Sequence, residues 1–256
     1  MVAMVPGAPT PLGGHLSGDN TDGGTLAAMA TPTPTASLLV VRHGQSLWNA
    51  AARWQGSADI ALSDLGRSQA ATAARLLDAA GHGFTAIGSS ALLRAAETAE
   101  IIAGHLGLDG PSIDDRWREA HAGEWQGLTP DEIRDEWPGY LERNLRPPGF
   151  EPVESVVERT MEAALTALRA AVGGPPALVV SHSGVIRTLR RHLGAASDRV
   201  PNLGGTWLHL VGDEVRVGDV FDPKAAPPAS GFSEGPGDES PSRRLDRRSS
   251  GGTAGQ

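Results

Sequence analysis

Apolar and polar positions follow two different periods along this chain. Short continuous apolar runs occur at Leu38–Val41 and Ala177–Val180, and a β-type run spans "FTAIGSS", Phe84 to Ser90. Each is bounded by polar or turn residues and followed by a segment of helical spacing, the pattern of strands buried on both faces. Ser63 is placed to cap a helix that runs through "LGRSQAATAARLLDAA" and stops at Gly81. A second helix, "LLRAAETAEIIAGHLG", closes at Gly107, and a short strand is expected at "SIDD", Ser112 to Asp115. A third helix spans Ser155 to Val172, with Val157, Met161, Ala164, Leu165, Leu168 and Val172 on one face. "ALVVS" reads as the next strand, "GVIRTLRRHLG" as a helix, and "GTWLHLVGDEVRVGDV" as a hairpin turning at Gly212-Asp213. This alternation predicts an α/β fold: a mostly parallel central sheet with helices on both faces, in a single domain.

The two ends lack such patterning. Residues 1–36 are built mainly of Gly, Pro, Thr, Ala and Ser, without Lys or Arg. Residues 222–256 are similar, with Arg243, Arg244, Arg247 and Arg248 clustered late. Neither end buries enough apolar surface to offset chain entropy, so both are expected to be disordered around a folded domain at 37–221. Met1 and Met29 both remain candidate starts.

Composition narrows the chemistry. With no cysteine, a disulfide framework, a thiolate metal site and a Cys nucleophile are all excluded. The N-terminal stretch lacks the regions of a signal peptide, and nothing approaches the roughly 18 apolar residues of a membrane span. The expected location is the cytoplasm, away from membranes. A formal net charge of −8 argues against general nucleic-acid binding, which needs a basic face to release counterions. A small anionic substrate is compatible with that charge if cations converge in one pocket. Oligomeric state is not legible.

Cations do follow the strands. In an open parallel sheet the carboxyl ends of the strands share one edge, where ligands bind. After Leu38–Val41 comes Arg42-His43-Gly44; after "FTAIGSS" comes Leu92-Leu93-Arg94; after "ALVVS" comes His182-Ser183-Gly184. Three segments distant in sequence thus bring two arginines and two histidines to one edge. Phosphoryl transfer uses such a set. Guanidinium forks match the equatorial oxygens of the transition state, and a neutral imidazole is a competent nucleophile near pH 7.

The stretches "VVRHGQSLWN", "SSALLRAAETA", "REAHAGEWQG" and "VVSHSG" resemble, in order and spacing, the four blocks of the histidine phosphatase superfamily, also called phosphoglycerate mutase-like. They span about Leu38 to Ile186. The resemblance implies that His43 is a nucleophile that becomes phosphohistidine, and that Arg42, Arg94 and His182 form the phosphate pocket. Asn49 and Gln55 match polar positions that contact the transferred group, and Ser183 is expected to offer its backbone N–H. Glu119 matches the family's acid, through Glu119, Gly123, Trp125 and Gly127. It would protonate the leaving alkoxide and then take a proton from water. Glu124 is a weaker second candidate for the acid. Trp48 and Trp54 are expected near the mouth, with Trp125 bracing the acid loop. Solvated roles are expected for Arg53, Arg116, Arg118 and Arg187, and surface or structural roles for the other histidines, His121 being the one worth watching. No metal site and no cofactor are expected.

The reading that follows is a phosphatase of small-molecule phosphomonoesters. The alternative is a cofactor-dependent mutase, disfavoured because the segment between Glu119 and His182 is short and largely helical, leaving a phosphoenzyme open to water. A serine hydrolase on Ser183 is a remote alternative. Its elbow needs glycine two residues to either side, and Ser181 and Val185 stand there. A non-catalytic phosphate-binding protein is equally remote, since no block has lost its chemistry. Substrate choice is expected to reside in "LTPDEIRDEWPGYLERNLRPPGFEPVES", where Val153-Glu154-Ser155 replaces the Gly-Glu-Ser common among relatives. Its Trp137, Tyr140, Leu141, Phe150, Arg143 and Arg146 suggest an apolar body or extra negative charge on the ester.

Overall fold

The computed structural model describes residues 33–223. The two ends expected to be disordered lie almost wholly outside the described residues, as do Met1, Met29 and the late arginine cluster. Six strands form one sheet: β1 (Ala36–Arg42), β2 (Ile87–Ser89), β3 (Ser112–Ile113), β4 (Ala177–Ser181), β5 (Gly205–Val211) and β6 (Glu214–Phe221). Their order is β3-β2-β4-β1-β5-β6. The first four run parallel, and β5 pairs antiparallel with both β1 and β6. The helices are α1 (Leu47–Ala50), α2 (Asp64–Ala79), α3 (Leu93–Leu106), α4 (Pro130–Glu136), α5 (Val153–Ala170) and α6 (Ser183–His192).

Successive side chains of a strand point to opposite faces, and β1 uses both. Leu38 and Val40 pack with Val179 against Val156, Ala164 and Leu168 of α5 and Ile186 of α6. Leu39 and Val41 pack with Leu178 and Val180 against Ala73 and Leu77 of α2 and Ala99 and Ile102 of α3. Helices therefore cover both faces, as the continuous apolar runs predict. Each fully buried Leu, Ile or Val of these layers contributes about 1.5–3 kcal/mol.

Several local predictions hold. Ser63 Oγ accepts the Gly66 N–H at 3.1 Å and caps α2. Gly107 ends α3 in the left-handed region, and Gly212, at φ 62°, turns the β5–β6 hairpin.

Others shift. α5 starts at Val153, and its buried line is Val156, Thr160, Ala163, Ala164 and Leu168. Val157 is only half-buried, and Val172 lies beyond the helix, 54% exposed. An apolar-only template leaves no core place for Thr160, whose hydroxyl satisfies itself on the Val156 carbonyl at 2.6 Å. Of "FTAIGSS" only Ile87–Ser89 pairs, and "SIDD" stops at Ile113 because Asp114 caps the 3-10 turn Asp115–Trp117. The helix α4 carries a capping box, Thr129 with Glu132, that the sequence reading passed over. No helix among the described residues is long and apolar enough to cross a membrane.

Candidate active site

The parallel register sets the floor of the site. Arg42 pairs with Ser181 across β1 and β4, so His43 and His182 leave the sheet side by side. Their ring centroids are 5.1 Å apart. The Asn202 side-chain amide donates to the His43 carbonyl at 3.0 Å and fixes the backbone of the turn. Gly44 then passes directly over Gly66 of α2, where a Cβ on either glycine would collide with backbone. Thr98 ties the same turn to α3: its Oγ1 accepts the Gly44 N–H at 3.1 Å and donates to the Arg94 carbonyl at 2.6 Å.

His43 is 3% exposed, and its Nδ1 faces the Gly44 carbonyl at 2.6 Å. A nitrogen facing an acceptor carries the proton, which leaves the lone pair on Nε2. Burial, with the charges of Arg94 and Arg42, holds its pKa well below the usual 6.5. The same causes, burial first, lower His182. His182 is fully buried, and its Nε2 pairs with Ser90 Oγ at 2.9 Å.

Arg94 is also fully buried, its guanidinium donating to the Ala58 and Gly56 carbonyls at 2.7 and 2.8 Å. Arg42 donates to Val200 O at 2.8 Å and to Asn49 Oδ1 at 3.3 Å. Burial lowers both arginines to about 10, so both remain charged at neutral pH. Arg42 Nε, Arg94 Nε and His182 Nδ1 are buried without a partner among the described residues. The fold thus leaves three polar nitrogens unsatisfied around His43, where buried polar groups are normally paired.

Glu119 reaches the N-terminus of α6. Its carboxylate accepts the Gly184 N–H at 2.9 Å and its neighbour Ala120 N–H at 3.0 Å. A Cβ at Gly184 would strike this carboxyl, so the acid's seat requires glycine. Glu124 is exposed and lines no part of the cavity. Trp125, fully buried, braces the acid loop edge-on to Trp54 at 5.0 Å, as expected.

The cavity is about 1020 Å³ and is lined by Arg42, His43, Asn49, Gln55, Arg94, Glu119 and Ser183 among others. Of the expected site residues only His182 lies outside its lining. Gln55 Oε1 accepts from Ser46 Oγ at 2.7 Å, and Ser46 in turn caps α1, which carries Asn49. Ser183 Oγ has no imidazole partner among the described residues, so the serine-hydrolase reading lacks its base. No cluster of three or more metal-ligating side chains occurs among them either.

Sequence reasoning missed five contributors. Ser90 and Thr98 sit inside the quoted "SSALLRAAETA" but carry no charge to attract attention. Arg187, read as solvated, lines the cavity and has a buried Nε with no partner. Arg191 and Arg199 line it too. Arg116 and Arg118 behave as read, pairing with Asp114 and Asp115, while Arg53 lines the cavity but is tied to Glu132 at 3.1 Å. Of the residues expected to choose substrate, Phe150 and Arg146 line the cavity; Trp137, Tyr140, Leu141 and Arg143 do not. His121 is spent on loop geometry, its Nδ1 near Gly149 O and Gly123 N.

A doubly wound α/β sheet that gathers two imidazoles and two guanidinium groups at one strand edge defines a phosphate-handling architecture. The model of the histidine phosphatase superfamily (branch 1) matches residues 38–210, and the chain belongs to that superfamily. A glucosyl-3-phosphoglycerate phosphatase of Mycolicibacterium vanbaalenii is 37% identical over 198 residues, 71% of this chain and 87% of that protein. Phosphoglycerate mutase-like protein 4 of Arabidopsis thaliana is 35% identical, covering 68% of this chain and 78% of its own. The solved structure of a mycobacterial glucosyl-3-phosphoglycerate phosphatase in complex with VO3 matches at TM-score 0.62 and 32% identity, over 71% of this chain and 96% of that one.

Proposed function

We propose that the protein is a phosphatase that hydrolyses a small-molecule phosphomonoester through a phosphohistidine on His43. The observation that carries this is the state of His43: neutral, buried between cations, its Nδ1 bound to Gly44 O and its lone pair free on Nε2. In the first step the Nε2 lone pair forms a bond to phosphorus and the ester P–O bond breaks. Arg42, Arg94 and His182 take the charge spread over the three equatorial oxygens, so that guanidinium groups do the work a divalent cation does elsewhere. Glu119 gives its proton to the departing alkoxide. In the second step Glu119 takes a proton from water, the water oxygen bonds to phosphorus, and the P–N bond breaks to release phosphate. Asn49 and Gln55 hold the transferred group from the α1 side, and the Ser183 N–H holds it from α6.

Esters of the phosphoglycerate type head the substrate series, because the two phosphatase relatives reported above are named for glucosyl-3-phosphoglycerate. A cavity of about 1020 Å³ has room for a body well beyond the phosphoryl group. We place this activity in the cytoplasm, a reducing compartment that a cysteine-free chain suits. The deciding assay supplies glucosyl-3-phosphoglycerate, and separately 3-phosphoglycerate with a bisphosphoglycerate primer. Phosphate release that outruns isomerisation is expected. Isomerisation that outruns release would make the protein a mutase.

A further inference from the structure

We propose that Ser90 is a positioning residue that fixes the tautomer of His182, so that this ring presents an Nδ1–H donor to the phosphoryl group beside His43. The proposal rests on the phosphatase reading for the identity of that group, and on hydrogen-bond accounting for the tautomer.

Ser90 is fully buried where the chain passes from β2 into α3. Its backbone N–H donates to Val180 O at 3.0 Å, which docks it against the strand that leads into His182. Its hydroxyl has two partners among the described residues. The Leu92 N–H donates to Oγ at 3.2 Å, and His182 Nε2 lies 2.9 Å from the same oxygen. A backbone N–H can only donate, so the Leu92 contact takes an oxygen lone pair and leaves the hydroxyl proton to be placed.

Of the protonation states of His182, one satisfies every atom. With the proton on Nε2, the ring donates to Ser90 and the hydroxyl proton is buried with no acceptor, an arrangement folded proteins avoid. Nδ1 would then turn a lone pair toward the phosphoryl oxygens and repel them. The imidazolium strands the same hydroxyl proton and adds a charge beside Arg42 and Arg94. Burial first, then the Arg94 charge, already disfavours that form. With the proton on Nδ1, Ser90 donates to Nε2 while accepting from Leu92, and both of its contacts are met.

Nδ1 is the ring atom left buried without a partner, as are Arg42 Nε and Arg94 Nε. In this tautomer the orphan is a donor, and an anionic oxygen is the acceptor it lacks. The two imidazoles are then set in opposite senses. His43 spends its proton on Gly44 O and offers a lone pair to phosphorus, whereas His182 spends its lone pair on Ser90 and offers a proton to oxygen. The same hydroxyl also meets the start of α3, since Leu92 is the N-cap of the helix whose second residue is Arg94. One oxygen thus holds two of the phosphate's donors in register.

The test is long-range proton–nitrogen NMR of the full chain, labelled at the histidine nitrogens, at neutral pH and without substrate. His182, assigned by its loss in His182→Asn, is expected to show a protonated Nδ1 and an unprotonated Nε2. A proton on Nε2, or on both nitrogens, would overturn the proposal. In Ser90→Ala the Nε2–H form should appear, and kcat should fall about ten-fold or more, within the 10²–10³-fold typical of losing a preorganised donor outright. The loss should be equal for p-nitrophenyl and alkyl phosphates, because this donor faces the equatorial oxygens and not the leaving one. Lost turnover in Ser90→Ala with the His182 nitrogens as in wild type would leave Ser90 a packing residue and refute the assignment. The expected tautomer in a protein that hydrolyses no phosphomonoester would keep the assignment and remove the phosphatase reading. Hydrolysis with the other tautomer would do the reverse.

Discussion

The floor and the outer wall of one cavity both carry arginines, but they hold them by different means. On the floor, Arg42 and Arg94 come from a strand end and the first turn of a helix that follows a strand, and backbone carbonyls bind their guanidinium groups. Sheet register places them, so their positions are fixed before any ligand arrives. On the wall, Arg146, Arg187, Arg191 and Arg199 come from a loop, a helix face and a second loop, and no carboxylate among the described residues pairs with them. The floor is built for one geometry, that of a phosphoryl group in transfer. The wall is a set of cations without carboxylate partners among the described residues, and no sheet register fixes them.

The sharpest way to break this contrast is on the floor. Arg94→Lys keeps the charge but loses the planar fork, and turnover should fall about 10²–10³-fold. The loss should be equal for p-nitrophenyl phosphate and for larger esters. A loss confined to one ester class would make Arg94 a selectivity residue and erase the distinction.

Gly184→Ala comes next. The added methyl displaces the Glu119 carboxyl from the N-terminus of α6, and a small misplacement of this kind costs about 10²-fold. Alkyl phosphates, whose leaving oxygen needs a proton, should suffer far more than p-nitrophenyl phosphate, whose leaving group does not. Equal losses for both would remove Glu119 from proton transfer.

The smallest effect is on stability. Folded His43 and His182 titrate well below 6.5, whereas the unfolded chain takes up those protons near 6.5. Between these values the unfolded state binds more protons, so stability rises with pH and is lost as pH falls below about 6.5. The loss is at most about 1.4 kcal/mol per pH unit for each histidine. Urea titrations at pH 7.5, 6.5 and 5.5 should show it, and His182→Asn should roughly halve the slope. An unchanged slope would mean that the imidazoles are not held neutral by the floor.

The same contrast explains what was legible in the sequence. β1, β4, the β5–β6 hairpin and the capped α2 follow from local period and turn chemistry, and the floor follows because strand ends of a parallel sheet share an edge. His43, His182, Arg42 and Arg94 could therefore be assembled from segments far apart, whereas Glu119 came only from the resemblance of its block to the superfamily's. Ser90 and Thr98 could not, because a hydroxyl that orients a histidine or a turn looks like any buried Ser or Thr until its partner is known. The segment 137–152 has no period, and its contact with the acid loop, the bridge between Ala122 and Phe150, depends on long-range packing. Arg187 and Arg191 fall on a helix face whose partner is empty space, which periodicity cannot report.

The account stands on covalent attachment at His43. The direct measurement is rapid acid-free quenching of the enzyme during turnover of a phosphomonoester, followed by mass spectrometry of its peptides. An acid-labile phosphoryl group on His43, absent from His43→Asn, is the expected result. Steady turnover with His43 never modified, or with the label on another residue, would contradict it.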